Sequence, residues 1–291
     1  NRLGEECYFR DSIDPGWSAN LCIYFLSGTH QILSLPVDSL KRVVRRISPF
    51  GYEYSFFKKF NLLEKIFIRI FGLVDLSART RFYFLTNIIK HLEAGKILDV
   101  GTGPGLFPMF VLRKGIAQRA LGIDISDEWL KEARRCASLT ENRGVAFERC
   151  NVEEDELPHF DADLLTAVEC IQYFKNPEIT LPRLLSRVKK GGYALFHFHE
   201  KDVRDLDLWR MNKFQGEDVE RVILENNFSI IKKGRGPSPS QYIFKRVFKI
   251  ALKFKPLLLI YPLLILFSKI FPYEHHEGEY YFILAKKKVA N

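Results

Sequence analysis

The sequence predicts an α/β protein: a mostly parallel, seven-stranded sheet with helices on both faces and an antiparallel last strand. Three observations carry this expectation. Short apolar runs alternate with helical stretches from residue 97 onward. The first run enters a glycine-rich turn that opens a helix, at ILDVGTGPG (Ile97–Gly105). The last run, 279–288, has no crossover-type helix directly before it, so it can pair antiparallel with the sixth.

Residues 1–36 show no clear period, and Trp17–Leu35 is apolar but interrupted by Gly28. Residues 38–50 read as a short basic helix ending at Pro49. Phe56–Phe71 places apolar residues at 56, 60, 63, 67, 70 and 71, which is helical spacing. Lys58, Lys59, Lys65 and Arg69 fall on or near its other face, and Gly72 stops it. Leu76–Leu92 reads as a further helix. Strands are then expected at 97–100, 120–126, 145–150, 163–170, 193–199, 228–233 and 279–288. Helices are expected after the glycine turn to about Lys114, through DEWLKEARRCA, and at Glu178–Lys190 and Glu217–Asn227.

The 291 residues suffice for one α/β domain with a lid or insertion, and 47% hydrophobic residues argue against global disorder. The net charge of +9 is local. Between Asn226 and Tyr273 there is no Asp or Glu, while nine Lys and Arg residues lie there. The five cysteines have no C-x-x-C spacing and an odd count, as expected of reduced thiols rather than a disulfide framework or zinc site. No basic, then apolar, leader opens the sequence, which fits a cytoplasmic protein.

Glycines in the turn Gly101-Thr102-Gly103-Pro104-Gly105 let the backbone turn sharply and approach a ligand. The helix behind it offers free N–H groups. Asp99 falls at the carboxyl end of the first strand, where open α/β sheets bind ligands. The dinucleotide fingerprint is not met, because Leu106 stands where its third glycine belongs. Asp124 ends the second strand, where a carboxylate can accept from a ribose diol.

These pieces resemble the class I S-adenosylmethionine-dependent methyltransferase family, of the small-molecule or lipid type. The matching motifs are LDVGTGPG (98–105), LGIDIS (121–126), NVEEDELPHFDAD (151–163), AVECIQYFKNP (167–177) and RVKKGGYALFHF (187–198), in order. The resemblance implies a Rossmann-like fold, an enzyme that transfers a methyl group, and S-adenosyl-L-methionine as cofactor. It implies that Asp99, Gly101, Thr102, Gly103 and Gly105 hold the amino-acid half of the cofactor. Asp124 would take the ribose hydroxyls and Ile125 would lie against adenine. Asn151 and Val152 fall where the family usually places an Asp near the adenine amino group; Asn can still accept through its carbonyl oxygen. Glu169 matches a position beside the methionine moiety. The expected division is an N-terminal extension or lid at 1–94, a core at 95–233 plus 279–291, and an insertion at 234–278.

Candidates for the acceptor side lie just past the fourth and fifth strands: Gln172 and Tyr173 in ECIQYF, and His197, His199 and Glu200 in HFHE. Tyr173 and His199 are the candidate catalytic residues. Many relatives carry His at the position of Tyr173. His197 and His199 share one face of a strand and are first expected to pack locally. A metal site from them needs further ligands, so no metal is expected. His275, His276 and Glu277 read as loop residues.

The insertion opens with the loop GRGPSPS (234–240). IFKRVFKIALKFK (243–255) then reads as a basic amphipathic helix. The uncharged PLLLIYPLLILF (256–267) follows; twelve residues are too few for a span, which needs ~20. The segment 243–272 suits an anionic membrane surface, a hydrophobic lid or a homodimer contact. The function read here is methyl transfer to a small-molecule or lipid-linked acceptor, on oxygen first and otherwise carbon or nitrogen, at the inner membrane face. The alternatives are a nucleic-acid methyltransferase, suggested by the basic pI, and a catalytically inactive adaptor of the same fold. A nucleic-acid partner fits less well, because the insertion is aliphatic and no N-P-P-Y-type tetrapeptide follows the fourth strand.

Overall fold

The computed structural model describes residues 76–199, 215–236, 261–270 and 280–289, with the single positions 62, 66 and 69. Residues 1–50, most of 56–71, Glu200, the helix expected at 243–255 and the His275–Glu277 loop lie outside the described residues.

The described chain runs α1 (Leu76–Ile89), β1 (Ala94–Val100), α2 (Leu106–Arg113), β2 (Ala117–Asp124), α3 (Asp127–Leu139), β3 (Val145–Arg149) and β4 (Ala162–Val168). A short 3₁₀ turn (Ile171–Tyr173) leads to α4 (Pro177–Ser186), β5 (Val188–His199), α5 (Gly216–Glu225), β6 (Phe228–Arg235), α6 (Tyr261–Ile270) and β7 (Tyr280–Lys287). The seven strands form one sheet in the order β3-β2-β1-β4-β5-β7-β6. β1 pairs parallel with β2 and β4, and β7 pairs antiparallel with both β5 and β6. All seven expected strands are present, with β5 starting earlier, at Val188. The positive φ of Gly191, 75°, lies in that early part.

Successive strand residues face opposite layers. Ile97, Leu164, Leu195 and Phe282 join α1 and α2 on one face. Leu98, Leu165, Phe196 and Ile283 join α4 and α5 on the other. Each fully buried Leu, Ile or Phe contributes about 1.5–3 kcal/mol of transfer free energy. α1 belongs to this core, although the sequence reading put it in the N-terminal extension. Phe82, Leu85 and Ile89, at helical spacing, are buried between the sheet and α2.

Local chemistry fixes the helix starts that matter for the site. Ser126 caps α3 by accepting from the Trp129 N–H at 3.2 Å, and Asp127 and Glu128 occupy the positive end of the helix. Gln215 and Asp218 form a capping box on α5.

α6 begins in the uncharged run, extends past it through Lys269, and packs on α1. Leu264, Ile265 and Ser268 are buried, while Leu263, Leu266 and Phe267 remain exposed. Ser268 donates to the Ile265 carbonyl at 2.6 Å, and the Lys269 ammonium stands 5.9 Å from the Tyr83 ring centre. No helix among the described residues is long and apolar enough to cross a membrane. Positions 62, 66 and 69 are helical, as expected for 56–71, and Leu62 and Ile66 are exposed.

Candidate functional site

The carboxyl ends of β1, β2 and β4 bring the predicted residues together. Gly101, Gly103 and Gly105 have φ of 62°, 51° and 70°, a region that strains any residue with a Cβ. A Cβ on Gly101 would sit 2.4 Å from the Cβ of Cys170, and one on Gly105 2.5 Å from the Phe147 ring. A Cβ on Gly103 would meet nothing within 4 Å. The first and last glycines are therefore dictated by packing, whereas Gly103 borders open space. The Thr102 N–H donates to the Ile123 carbonyl at 3.0 Å and pins the turn to β2.

Asp124 joins the turn to α3. Its Oδ2 accepts from the Gly103 N–H at 2.8 Å and its Oδ1 from the Ser126 N–H at 3.0 Å. Burial raises its carboxyl above the usual range, opposed by these backbone donors. Each carboxylate oxygen retains a lone pair for a further donor. Asp99 is 2% exposed and accepts from the Thr166 hydroxyl at 2.5 Å. Burial pushes its carboxyl up to about 7, against the hydroxyls of Thr166 and Thr102.

Ile125 is exposed beside Asp124. Asn151 is partly engaged within its own loop. Its Oδ1 already accepts from the Glu153 N–H at 3.1 Å, and its own N–H donates to Asp155 at 2.8 Å. Val152 is buried behind it. Arg183 braces the loop by donating to the Glu153 and Asp155 carbonyls, both at 2.6 Å.

After β4, Glu169 holds φ at 56°, uncommon for a residue with a side chain and a mark of stored strain. Its N–H donates to the His197 carbonyl at 2.6 Å, and its carboxylate pairs with Arg81 of α1 at 2.5 Å. Arg81 was not singled out by sequence reasoning as the partner of Glu169. It carries no motif, and only the packing of α1 brings it to the end of β4.

The acceptor-side candidates separate. His197 is fully buried, stacks on Tyr280 with ring centres 5.1 Å apart, and places Nε2 3.2 Å from the Gly236 carbonyl. Burial, with the charge of Arg81, drives it down to about 3, so it stays neutral and structural. His199 is partly exposed, edge-on to the same Tyr280 ring at 5.1 Å. Burial and the nearby Glu169 charge raise the Tyr173 phenol well above its ordinary value. Tyr173 can donate a hydrogen bond at neutral pH but is no base there. Among the described residues no three His, Cys, Asp or Glu side chains cluster as a metal site. Cys136, Cys150 and Cys170 are buried free thiols. A cleft lined by Asn87, Lys90 and Lys114 lies at the amino ends of β1 and β2, away from the glycine turn.

The family model of a methyltransferase domain matches residues 77–230. A ubiquinone biosynthesis O-methyltransferase of Alkalilimnicola ehrlichii is 33% identical over 119 residues, covering 40% of this chain and 46% of that protein. The mitochondrial one of Saccharomyces cerevisiae is 24% identical over 204 residues, covering 70% of this chain and 63% of that protein. The chain spans about half the length of the curated relatives it matches. Among solved structures, the [4+2]-cyclase SpnF superposes with a TM-score of 0.53 at 18% identity, over 73% of this chain and 82% of that one. A putative methyltransferase of Bacillus halodurans gives 0.51 at 15%, over 72% and 99%. These two likenesses show the fold. The family match covers more than half of the chain, on a sheet and glycine turn of this geometry, and the chain therefore belongs to the class I S-adenosylmethionine-dependent methyltransferase family.

Proposed function

We propose that this protein binds S-adenosyl-L-methionine over the glycine turn and transfers its methyl group to an oxygen of a small, lipid-like acceptor. The observation that carries the reading is the open space over Gly103, bordered by Asp124, in a turn whose other two glycines are enforced by packing. The residues fit the cofactor. Asp124 has lone pairs left for a ribose diol, and Ile125 offers the apolar surface an adenine needs. Arg81 places a guanidinium where an amino-acid carboxylate would seek one, with Glu169 beside it for the ammonium. The bound cofactor supplies an electrophilic methyl group on a sulfonium, so the protein need only bring an acceptor oxygen in line behind it. Much of that acceleration comes from positioning. Tyr173 contributes a hydrogen bond that orients the acceptor, and His199, the partly exposed histidine of the pair, takes the acceptor proton.

The relatives described as ubiquinone biosynthesis O-methyltransferases favour oxygen as the accepting atom and an apolar acceptor. The exposed face of α6 (Leu263, Leu266, Phe267) beside Lys269, inside the basic segment 243–272, supports peripheral binding to an anionic membrane surface on the cytoplasmic side. The division into an N-terminal lid, a core that takes in α1, and an insertion at 234–278 belongs to the same reading. The test is transfer of labelled methyl from the cofactor into a membrane lipid extract, with mass identification of the product. Label in an apolar, hydroxyl-derived ether supports the reading; label only in nucleic acid or protein contradicts it. A second reading, a cofactor-binding protein that does not methylate, is favoured by one observation: the cyclase among the fold neighbours. Tight cofactor binding without label transfer would select it.

A further inference from the structure

Gln172 lies in the 3₁₀ turn between Glu169 and α4 and is 2% exposed. Neither its Nε2 nor its Oε1 has a hydrogen-bond partner. Its neighbours in the turn are satisfied. The Cys170 thiol donates to the Val100 carbonyl at 3.1 Å, and the Tyr173 and Phe174 N–H groups donate to Cys170 and Ile171 at 3.0 and 3.1 Å. A buried amide with both ends unmet costs stability, and native folds leave few such groups without a role.

The surroundings say which ligand. The amide lies close to the Tyr173 hydroxyl, which in turn feels the charge of Glu169, although amide and hydroxyl make no well-formed bond. The turn begins at Glu169, with its left-handed φ, and at Cys170, which packs directly under Gly101. In the sheet order, β1 separates β4 from β2, so Gln172 lies on the opposite side of the glycine turn from Asp124 and Ile125. That is the side away from ribose and adenine.

We propose that Gln172 receives an uncharged hydroxyl-bearing part of the methyl acceptor; this rests on the methyl-transfer reading above. A hydroxyl both donates and accepts, which matches an amide with both functions empty. A charged acceptor group is disfavoured at this point, because the amide is neutral and would leave a buried charge without a counter-ion. Gln172 thus selects neutral alcohols or phenols over carboxylates and phosphates at this subsite.

The test uses the full chain with the near-isosteric Gln172→Met and the charged Gln172→Glu. Melting temperature, titration with S-adenosylhomocysteine, and labelled-methyl transfer into a total lipid extract are compared with wild type. The expected result for Q172M has three parts: a melting temperature equal to or above wild type, S-adenosylhomocysteine affinity within about twofold, and transfer at sub-saturating extract reduced at least about tenfold through KM. Q172E should lose transfer as well, by adding charge. A melting temperature several degrees lower in Q172M would make the amide structural and overturn the proposal. Affinity for S-adenosylhomocysteine weakened about tenfold would make Gln172 a cofactor ligand and overturn it too. Unchanged transfer with intact cofactor binding overturns this inference alone. A wild-type protein that fails to bind S-adenosylhomocysteine removes the underlying cofactor reading, and this inference with it.

Discussion

Arg81 of α1 donates to Glu169 at the end of β4 across 2.5 Å, although 88 residues separate them in the chain. The pair fastens α1 to the strand end that would carry the methionine half of the cofactor. Glu169 is held in place from the other side by the His197 carbonyl. Charge-assisted hydrogen bonds of this kind contribute about 1.5–3 kcal/mol when both partners are shielded. Arg81→Met is therefore expected to weaken S-adenosylhomocysteine binding by at least about tenfold, with the fold intact. Calorimetric titration alongside a circular dichroism spectrum checks this; wild-type affinity in Arg81→Met would remove the residue from the site.

Two buried groups give stability opposite pH dependences. Asp99 rises from 3.8 to about 7 on burial, so between these values the folded chain holds a proton the unfolded chain has lost. Its contribution is full below about 4 and falls away as pH rises to 7. His197 falls from 6.5 to about 3, so there the unfolded chain binds the extra proton. Its contribution is full above about 6.5 and is lost as pH falls toward 3. Each window spans a little over three pH units and is worth at most about 5 kcal/mol. The two largely cancel between about pH 4 and 6.5 in the wild type. Asp99→Asn should become more stable with rising pH over this range, and His197→Phe less stable. Urea unfolding at half-unit pH steps measures both slopes, and equal slopes in the two variants would refute the assignment.

The three turn glycines should fail in different ways. Gly101→Ala combines a left-handed φ with a clash against Cys170 and is expected to lose about 3 kcal/mol. Gly103→Ala pays only the φ term, about 1 kcal/mol, because its Cβ enters open space. Binding should invert this order of severity for Gly103, where the added methyl occupies the cofactor's place. Thermal melts paired with S-adenosylhomocysteine titration distinguish the two. A Gly103→Ala protein with normal binding would argue against a ligand at that surface.

The exposed apolar face of α6 should matter only at a bilayer. Leu263→Ser with Leu266→Ser removes exposed side chains without touching the buried Leu264 and Ile265. Flotation with anionic vesicles is expected to fall at least about fivefold, with little change in melting temperature. Flotation independent of these residues and of vesicle charge would rule the face out. Loss of a dimer in the same variant would make it a subunit contact instead.

The sheet was legible because its signals are local: short apolar runs between helical stretches, glycines at a sharp turn, an Asp at the end of each of two strands. The cap at Ser126 was not legible, because the residue falls at the end of the second apolar run. The placement of Asp99 and Asp124 at the carboxyl ends of β1 and β2 was legible from the same local signals as the sheet. Arg81 was not, because an arginine within Leu76–Leu92 looks like any helix cation until the fold turns it toward Glu169. Nor was the difference between His197 and His199. Alternation predicts one shared face, and only β7 supplies the Tyr280 ring that His197 stacks on and His199 meets edge-on. Asn151 showed its residue type but not that its carbonyl oxygen also accepts from the Glu153 N–H.

The most direct test of the central claim is isothermal titration of S-adenosylmethionine and S-adenosylhomocysteine into the wild type, Asp124→Ala and Gly103→Arg. The account predicts saturable one-to-one binding of both compounds to the wild type. It predicts affinity at least about tenfold weaker in Asp124→Ala, from loss of a charged acceptor, and no measurable binding in Gly103→Arg. No binding to the wild type, or wild-type affinity in both variants, would contradict it.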